Sequence, residues 1–335
     1  MSAAPRRVLQ WGLLGTARIN RSVIPPLRAS KRNRLVAVAS RSAERARAYA
    51  KEWRIERAVG SYRELLGDPA IDVIYNPLPN ALHAEWTIAA VRAGKHVLCE
   101  KPLATTIADV DVIAAEARAH GRVVAEAFMY RHHPQTALVQ RLVAEGAVGE
   151  VRLMQGCFRF MHGRDDDVRW LLEMGGGSLW DVGCYPVSFA RLVMQEEPAE
   201  VMGWQRLTPG GVDDTFVGQL RFASGAFLTF DSSFRAPFAT GFEVAGTGGA
   251  IRPRVPYKPG KDAPVDVIGP DGTARVVRAE GQDLYSGEIE DMARAIIDGA
   301  PPRISLADSR GNAATIVALY ESARTGRPVA IPREW

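Results

Sequence analysis

Cysteine is scarce in this chain of 335 residues. Only Cys99, Cys157 and Cys184 occur, an odd set without Cys-x-x-Cys spacing, which excludes a disulfide framework and a cysteine zinc site. Each lies in an apolar stretch and reads as a small buried residue. Basic runs are missing too. The net charge is only +4, no Lys/Arg arm is present, and basic residues do not alternate with aromatics, so nothing marks a nucleic-acid partner. No stretch approaches the ~20 apolar residues of a membrane span. Arg6-Arg7 precede an apolar run, but Gly12 and Gly15 break it, so a signal-peptide core is not expected and a cytoplasmic location is. No metal site is expected either. His132 and His133 are adjacent and cannot face one ligand on a helix, and Asp165-Asp166-Asp167 reads as a solvated loop. Internal repeats and low-complexity linkers are absent.

What is present is ordinary globular composition, 47% hydrophobic and 24% charged, with enough length for roughly two domains of ~150 residues. The first half alternates strand and helix. Val8–Leu14, Leu35–Ala39, Val73–Tyr75, His96–Cys99 and Val123–Phe128 read as buried strands. Between them lie helical stretches. Ile19 to Arg28 is predicted to be interrupted by Pro25-Pro26. Ser42 is predicted to cap a helix reaching about Trp53, and Asn80 one from Ala81 to Ala93 closed by Gly94. Thr106, with Asp109, opens another that Gly121 stops. This alternation predicts a doubly wound parallel sheet. Beyond Tyr130 strands dominate. Ala223-Ser224-Gly225 and Pro270-Asp271-Gly272 each read as a hairpin turn, and helices are predicted near Leu284–Asp298 and Leu306–Thr325. The expectation is an α/β protein: a dinucleotide-binding domain over residues 1–128, then an α+β domain over 129–335 with a large, mostly antiparallel open sheet. That open face is also a candidate surface for a homodimer or higher homo-oligomer.

Glu100-Lys101-Pro102 closes one strand. Ligands of open α/β sheets bind at the carboxyl ends of strands, so Lys101 is placed to face them; its bland reading is a surface lysine beside a turn. The first βα turn, Gly12-Leu13-Leu14-Gly15-Thr16-Ala17, has Leu14 where G-x-G-x-x-G needs glycine, but it matches a G-x-x-G-x-A variant. Gly15 permits close backbone approach, and N–H groups at the helix start can hold a pyrophosphate. At the second strand end, where an acidic residue would select NAD, the chain has Ser40-Arg41 with Arg45 one turn on. Guanidinium groups there suit a 2′-phosphate, which points to NADP.

In Gly175-Gly176-Gly177-Ser178-Leu179-Trp180-Asp181-Val182-Gly183-Cys184-Tyr185-Pro186, a helical reading puts Asp181 and Tyr185 on one face, able to hold a hydroxyl and move its proton. Ser178-x-x-Asp181 also reads as a capping box, and Tyr185 as a core residue. Pro186 is expected to break or kink that helix.

The turn from Gly12 to Ala17, the Glu100-Lys101-Pro102 triplet and the segment from Gly175 to Tyr185 together resemble the glucose-fructose oxidoreductase / inositol dehydrogenase (Gfo/Idh/MocA) family, most of all its NADP-dependent xylose and dihydrodiol dehydrogenase branch. Pro77-Leu78-Pro79-Asn80 with His83, Tyr130-Arg131 and Arg169-Trp170 fit as well. The resemblance implies a Rossmann domain followed by a mixed α/β domain, with the active site between them. It implies Lys101 near the nicotinamide, Asp181 on the substrate, and Tyr185, where many relatives have His, as the acid/base. It extends the cofactor set to Gly12, Leu14, Gly15, Thr16, Ala17, Arg18, Ile19, Ser40, Arg41, Arg45, Pro77, Leu78, Asn80, His83, Glu100, Lys101, Arg169 and Trp170. On spacing alone His83 reads as a surface residue; the resemblance puts it along the cofactor cleft.

The expected reaction is hydride transfer between a sugar, or a sugar-like cyclic diol, and NADP. A phenol's free pKa is ~10, and a neighbouring ammonium favours the phenolate. A ketoreductase of a sugar or nucleotide-linked sugar, and a redox-neutral enzyme with retained cofactor, would use the same residues. A sugar or dinucleotide sensor would have lost Lys101 or Tyr185, and both are present.

Overall fold

The computed structural model describes residues 7–331; Arg6 and the outer ends of both predicted domains lie outside them. Two compact units emerge. The first comprises the chain through Ala104 with Ala108–His132 and Tyr285–Ser309, and the second comprises Thr105–Ile107, His133–Leu284 and the chain from Arg310.

The first unit holds β1 (Leu9–Leu14), α1 (Asn20–Ala29), β2 (Asn33–Ala39), α2 (Ala43–Glu52), β3 (Arg57–Val59), α3 (Tyr62–Gly67), β4 (Val73–Asn76), α4 (His83–Arg92), β5 (His96–Glu100), α5 (Ile107–Ala119) and β6 (Val124–Ala127). All strand pairs are parallel, in the order β3-β2-β1-β4-β5-β6. The chain runs outward from β1, returns to the centre and runs outward again from β4. That reversal opens a crevice beyond the carboxyl ends of β1 and β4. The unbroken apolar runs in the strands follow from burial on both faces: Leu13, Val38, Val73 and Tyr75 are fully enclosed.

Two local expectations are corrected here and a third is met. Pro25 and Pro26 do not interrupt α1; both lie inside it. Val23, Ile24, Pro26 and Leu27 are buried on the sheet, and that packing outweighs the ~3 kcal/mol local cost of an interior proline. Asn80 does not cap α4: a 3₁₀ turn over Asn80–Leu82 intervenes, and no side chain caps the helix at Leu82. Ser42 does cap α2, accepting the Arg45 N–H at 3.2 Å.

The second unit contains α6 (Pro134–Ala144), β7 (Val151–Met161), α7 (Cys184–Met194), β8 (Pro198–Leu207), β9 (Asp213–Phe222), β10 (Phe227–Ser233), β11 (Arg235–Gly246), β12 (Gly249–Pro253), β13 (Ala263–Ile268) and β14 (Ala274–Ala279). Among the described residues the sheet has nine strands, β14-β13-β12-β11-β7-β10-β9-β8 and finally β15 (Val329–Ala330), and only β7 and β10 pair in parallel. Both predicted hairpins form, β9 with β10 and β13 with β14. Phe216, Leu220 and Phe222 alternate inward along β9, while Val217, with its cross-strand partner Trp204, stays exposed.

The closing helices are α8 (Ser286–Ile297) and α9 (Leu306–Thr325). Ile289, Met292 and Ala293 of α8 belong to the core of the first unit, together with Leu9, Val23 and Leu27. Ser30 donates to Glu290 at 2.5 Å, and Arg32 pairs with Asp298 at 2.8 Å. A single cut at residue 128 therefore does not separate the units, because the apolar stripe of α8 is a missing face of the first core. Among the described residues, no helix is long and apolar enough to cross a membrane.

Candidate functional site

In the first unit, β1 ends in a turn at Gly15, whose φ of +93° favours glycine. Its N–H donates to Ala39 at 2.8 Å, and its carbonyl accepts the amide of the buried Asn20 at 3.0 Å. α1 starts only at Asn20, with short turns back to Ala17, Arg18 and Ile19. The backbone N–H groups of Thr16, Ala17, Arg18 and Ile19 therefore find no backbone acceptor among the described residues. Four such donors at a helix entrance are of the kind that can hold an anion.

Around that turn several side chains converge. A Cβ on Gly15 would stand 3.3 Å from both Leu78 Cδ2 and the Tyr62 hydroxyl. Burial raises the Tyr62 phenol, and the Arg41 guanidinium, hydrogen-bonded to it, opposes that rise together with Arg45. Both arginines are exposed. Ser40 is buried, its hydroxyl accepting the Ser42 N–H at 3.3 Å. Leu14 is enclosed in β1, and Arg18 is exposed. Tyr62 and Asn20 escaped sequence reading. Their neighbours in the sequence gave no sign of which strand end they would meet.

The ends of β4 and β5 are held from beneath. The Asn76 amide donates to the His83 carbonyl and to Thr87 Oγ1, both at 3.1 Å. The His83 ring lies between two carbonyls, Nδ1 2.6 Å from Pro102 O and Nε2 2.6 Å from Leu78 O. Only 1% of it is exposed, which corrects the surface reading of this residue, and its ring supports the two loops at these strand ends. Burial pushes its pKa down to about 4. Glu100 accepts the hydroxyl of the buried Tyr75, and Glu126 Oε1 accepts the Leu103 N–H at 3.0 Å. Between them the half-buried Lys101 precedes Pro102 through a cis peptide bond. Pro77 is buried, and Leu78 and Asn80 are half-buried.

In the second unit, the Gly175–Tyr185 segment is not the α-helix that the spacing predicts. A π-turn spans Leu179–Gly183, and α7 follows at Cys184. The wider turn absorbs one residue before α7, an irregularity common at functional sites. Pro186 does not break the helix. It is the third residue of α7, in the first turn, where proline is tolerated.

The capping box does not form. Asp181 pairs instead with Arg169, whose Nε donates at 2.7 Å and whose Nη2 donates at 3.4 Å. Asp181 holds the guanidinium above its ordinary pKa. Asp167 fixes the same arginine, accepting the Arg169 N–H and an Nη1 hydrogen at 3.1 Å each, so this part of the acidic loop is structural. The Trp170 indole packs edge-on to Phe234 at 5.3 Å and lies under the Arg235 guanidinium at 4.6 Å. His162 joins this aromatic wall, 5.4 Å from Trp170. Tyr185 is buried, its ring 5.3 Å from Phe158 and 5.5 Å from Tyr257. Among the described residues, no group of three or more His, Cys, Asp or Glu is placed to hold a metal ion.

Ser178 turns its hydroxyl to Asp213 Oδ2 at 2.7 Å, and the Leu179 N–H donates to the same oxygen at 2.8 Å. Tyr320 donates to Oδ1 at 2.6 Å. Burial pushes Asp213 up while these donors pull it back. Asp213 and Tyr320 were missed because they lie far along the chain.

Residues 9–128 match a family model described as an oxidoreductase family with an NAD-binding Rossmann fold, and residues 136–252 match the GFO/IDH/MocA C-terminal domain. A D-xylose 1-dehydrogenase (NADP(+)) of Haloferax volcanii is 38% identical over 96% of this chain and all of its own length. Among solved structures, an aldose-aldose oxidoreductase from Caulobacter crescentus complexed with glycerol superposes with a TM-score of 0.89 at 28% identity, covering 97% of this chain and 100% of that one. A 3-ketoreductase from Actinomadura kijaniata, in complex with NADP and TDP-benzene, also has a TM-score of 0.89, at 30% identity over 94% of this chain and 98% of that one.

Proposed function

This chain belongs to the Gfo/Idh/MocA family of NAD(P)-binding oxidoreductases, and on that premise we propose that it is an NADP-dependent enzyme moving hydride between a sugar, or a sugar-like cyclic diol, and the nicotinamide. One observation carries this reading: the Gly15 turn, the Tyr62–Arg41–Arg45 group and the Glu100-Lys101-Pro102 triplet all lie at the carboxyl ends of strands of one sheet. The residues fit a dinucleotide, since a Cβ on Gly15 would crowd the turn and four N–H groups beside it are open to an anion.

Thr16, Ala17, Arg18 and Ile19 would hold the pyrophosphate, and Arg41 and Arg45 the 2′-phosphate, as guanidinium forks suit phosphate. Bound there, the cofactor supplies or accepts the hydride. Asp181, oriented by Arg169, accepts a hydrogen bond from a substrate hydroxyl. Tyr185 takes the proton of the reacting hydroxyl in oxidation and returns it in reduction, with the Lys101 ammonium favouring the phenolate. The likeness to the ketoreductase and to the aldose-aldose oxidoreductase favours the same residues running the reverse or the redox-neutral reaction. Cross-strand partners Leu153 and Phe227, with Val217 and Trp204, leave an exposed apolar face on the nine-stranded sheet, proposed here for self-association.

The test is a panel of aldoses, polyols and trans-dihydrodiols read by absorbance of reduced cofactor, with NADP⁺ and NAD⁺ side by side. On the best substrate, Tyr185→Phe is expected to lower kcat by ~10²–10⁴-fold with NADPH binding retained. Wild-type turnover in that variant contradicts the assignment.

A further inference from the structure

Ser178 and the first two residues of the π-turn, Leu179 and Trp180, are gripped by two side chains from elsewhere in the same unit. The Ser178 hydroxyl and the Leu179 N–H both donate to Asp213 of β9, and the Trp180 backbone bonds the hydroxyl of Tyr320 on α9, which itself donates to Asp213. Ser178 also meets the hydroxyl of Ser232 on β10 at 3.0 Å. The segment that carries Asp181 and Tyr185 and helix α9 thus converge on one carboxylate of β9.

Asp213 is only 1% exposed, and the groups that act on its carboxyl are hydroxyls and backbone N–H groups, with no cation among them. An uncompensated buried charge is costly, and a neutral residue could fill a plain core position. Two features compensate this one. It sits where a helix N-terminus favours negative charge, and it accepts several hydrogen bonds directed from different sides. Gly177 belongs to the same arrangement. A side chain there would enter the Asp213 carboxylate and approach the Tyr320 hydroxyl, so the loop lies directly against the pair.

We propose that Asp213 is a positioning residue for the reaction proposed above: through Ser178, Leu179 and Tyr320 it fixes the start of the π-turn, and so sets where Asp181 and Tyr185 stand. The inference rests on that reaction for its kinetic consequence but not for its structural one. A π-turn has few register constraints of its own. Its entry must be set from outside if the two groups beyond it are to keep one geometry.

The test compares Asp213→Asn and Tyr320→Phe with the wild type. For each, kcat and KM on the best sugar of the panel are measured per folded molecule, with NADPH affinity and amide hydrogen exchange over residues 178–186. Asp213→Asn is expected to lower kcat/KM by roughly 10–100-fold, to raise KM, to leave NADPH affinity unchanged and to speed exchange in that segment. Tyr320→Phe is expected to act in the same direction with a smaller loss, and it keeps the question answerable if the asparagine variant does not fold. A loss that disappears once activity is expressed per folded molecule, or unchanged exchange over 178–186 in both variants, overturns the proposal. Faster exchange confined to 178–186 in a chain that oxidises no sugar supports the positioning role and overturns only the reaction.

Discussion

Arg41 and Arg45 stand on solvent at the start of α2, and both bear on the buried phenol of Tyr62 against the Gly15 turn. A guanidinium in that position is fixed from one side by the phenol and keeps its other N–H groups for a ligand. A carboxylate in its place would repel a 2′-phosphate and accept a ribose hydroxyl instead. Arg41→Glu is therefore expected to weaken NADPH by about tenfold or more, since a hydrogen bond to a charged group is worth roughly 1.5–3 kcal/mol, and to alter NADH much less. Fluorescence titration with the two reduced cofactors measures this directly, and an unmoved preference contradicts the 2′-phosphate role of Arg41.

At the scale of elements, the βα alternation and the two hairpins were legible in the sequence because their signals are local: apolar runs, glycine turns and the Ser42 cap. Two other helix entries were not. Asn80 is a good capping residue by type, yet the Asn76–His83–Pro102 scaffold imposes a 3₁₀ turn there first. Ser178-x-x-Asp181 fits a capping box, yet the acceptor at that entry is Asp213, which no window around Ser178 contains. The candidate residues themselves were readable by type and order, but their partners, Arg169 for Asp181 and Tyr62 for Arg41, are tertiary facts. Gly177 illustrates the difference. It has a φ of +118° and no room for a methyl group beside Asp213. Gly177→Ala is expected to lower unfolding stability by about 2 kcal/mol or more, measured by urea denaturation. Gly67, at the end of α3 with open space around it, is expected to accept alanine without loss under the same conditions.

For the whole molecule, buried histidines set an acid limit. Burial lowers both His83 and His96 to about 4 from an ordinary 6.5, and His96 Nδ1 already accepts the Val123 N–H at 2.9 Å. Between pH 6.5 and 4 the unfolded chain binds protons that the folded one refuses, so stability rises with pH across that window. The contribution is fully present above pH 6.5 and is lost progressively as pH falls towards 4. Scanning calorimetry from pH 8 to 4 should show the midpoint falling below pH 6.5 by on the order of 5 °C. A midpoint that stays flat down to pH 4.5 contradicts it.

The return of Tyr285–Ser309 to the first unit has a consequence for biosynthesis. Ribosomes deliver the chain from its amino end at ~5–20 residues per second, so β6 emerges roughly 10–30 s before α8. Through that interval the nascent parallel sheet lacks Ile289, Met292 and Ala293, and the apolar surface on Val23 and Leu27 has no native cover. The nascent chain therefore carries an uncovered sticky patch until α8 has left the ribosome.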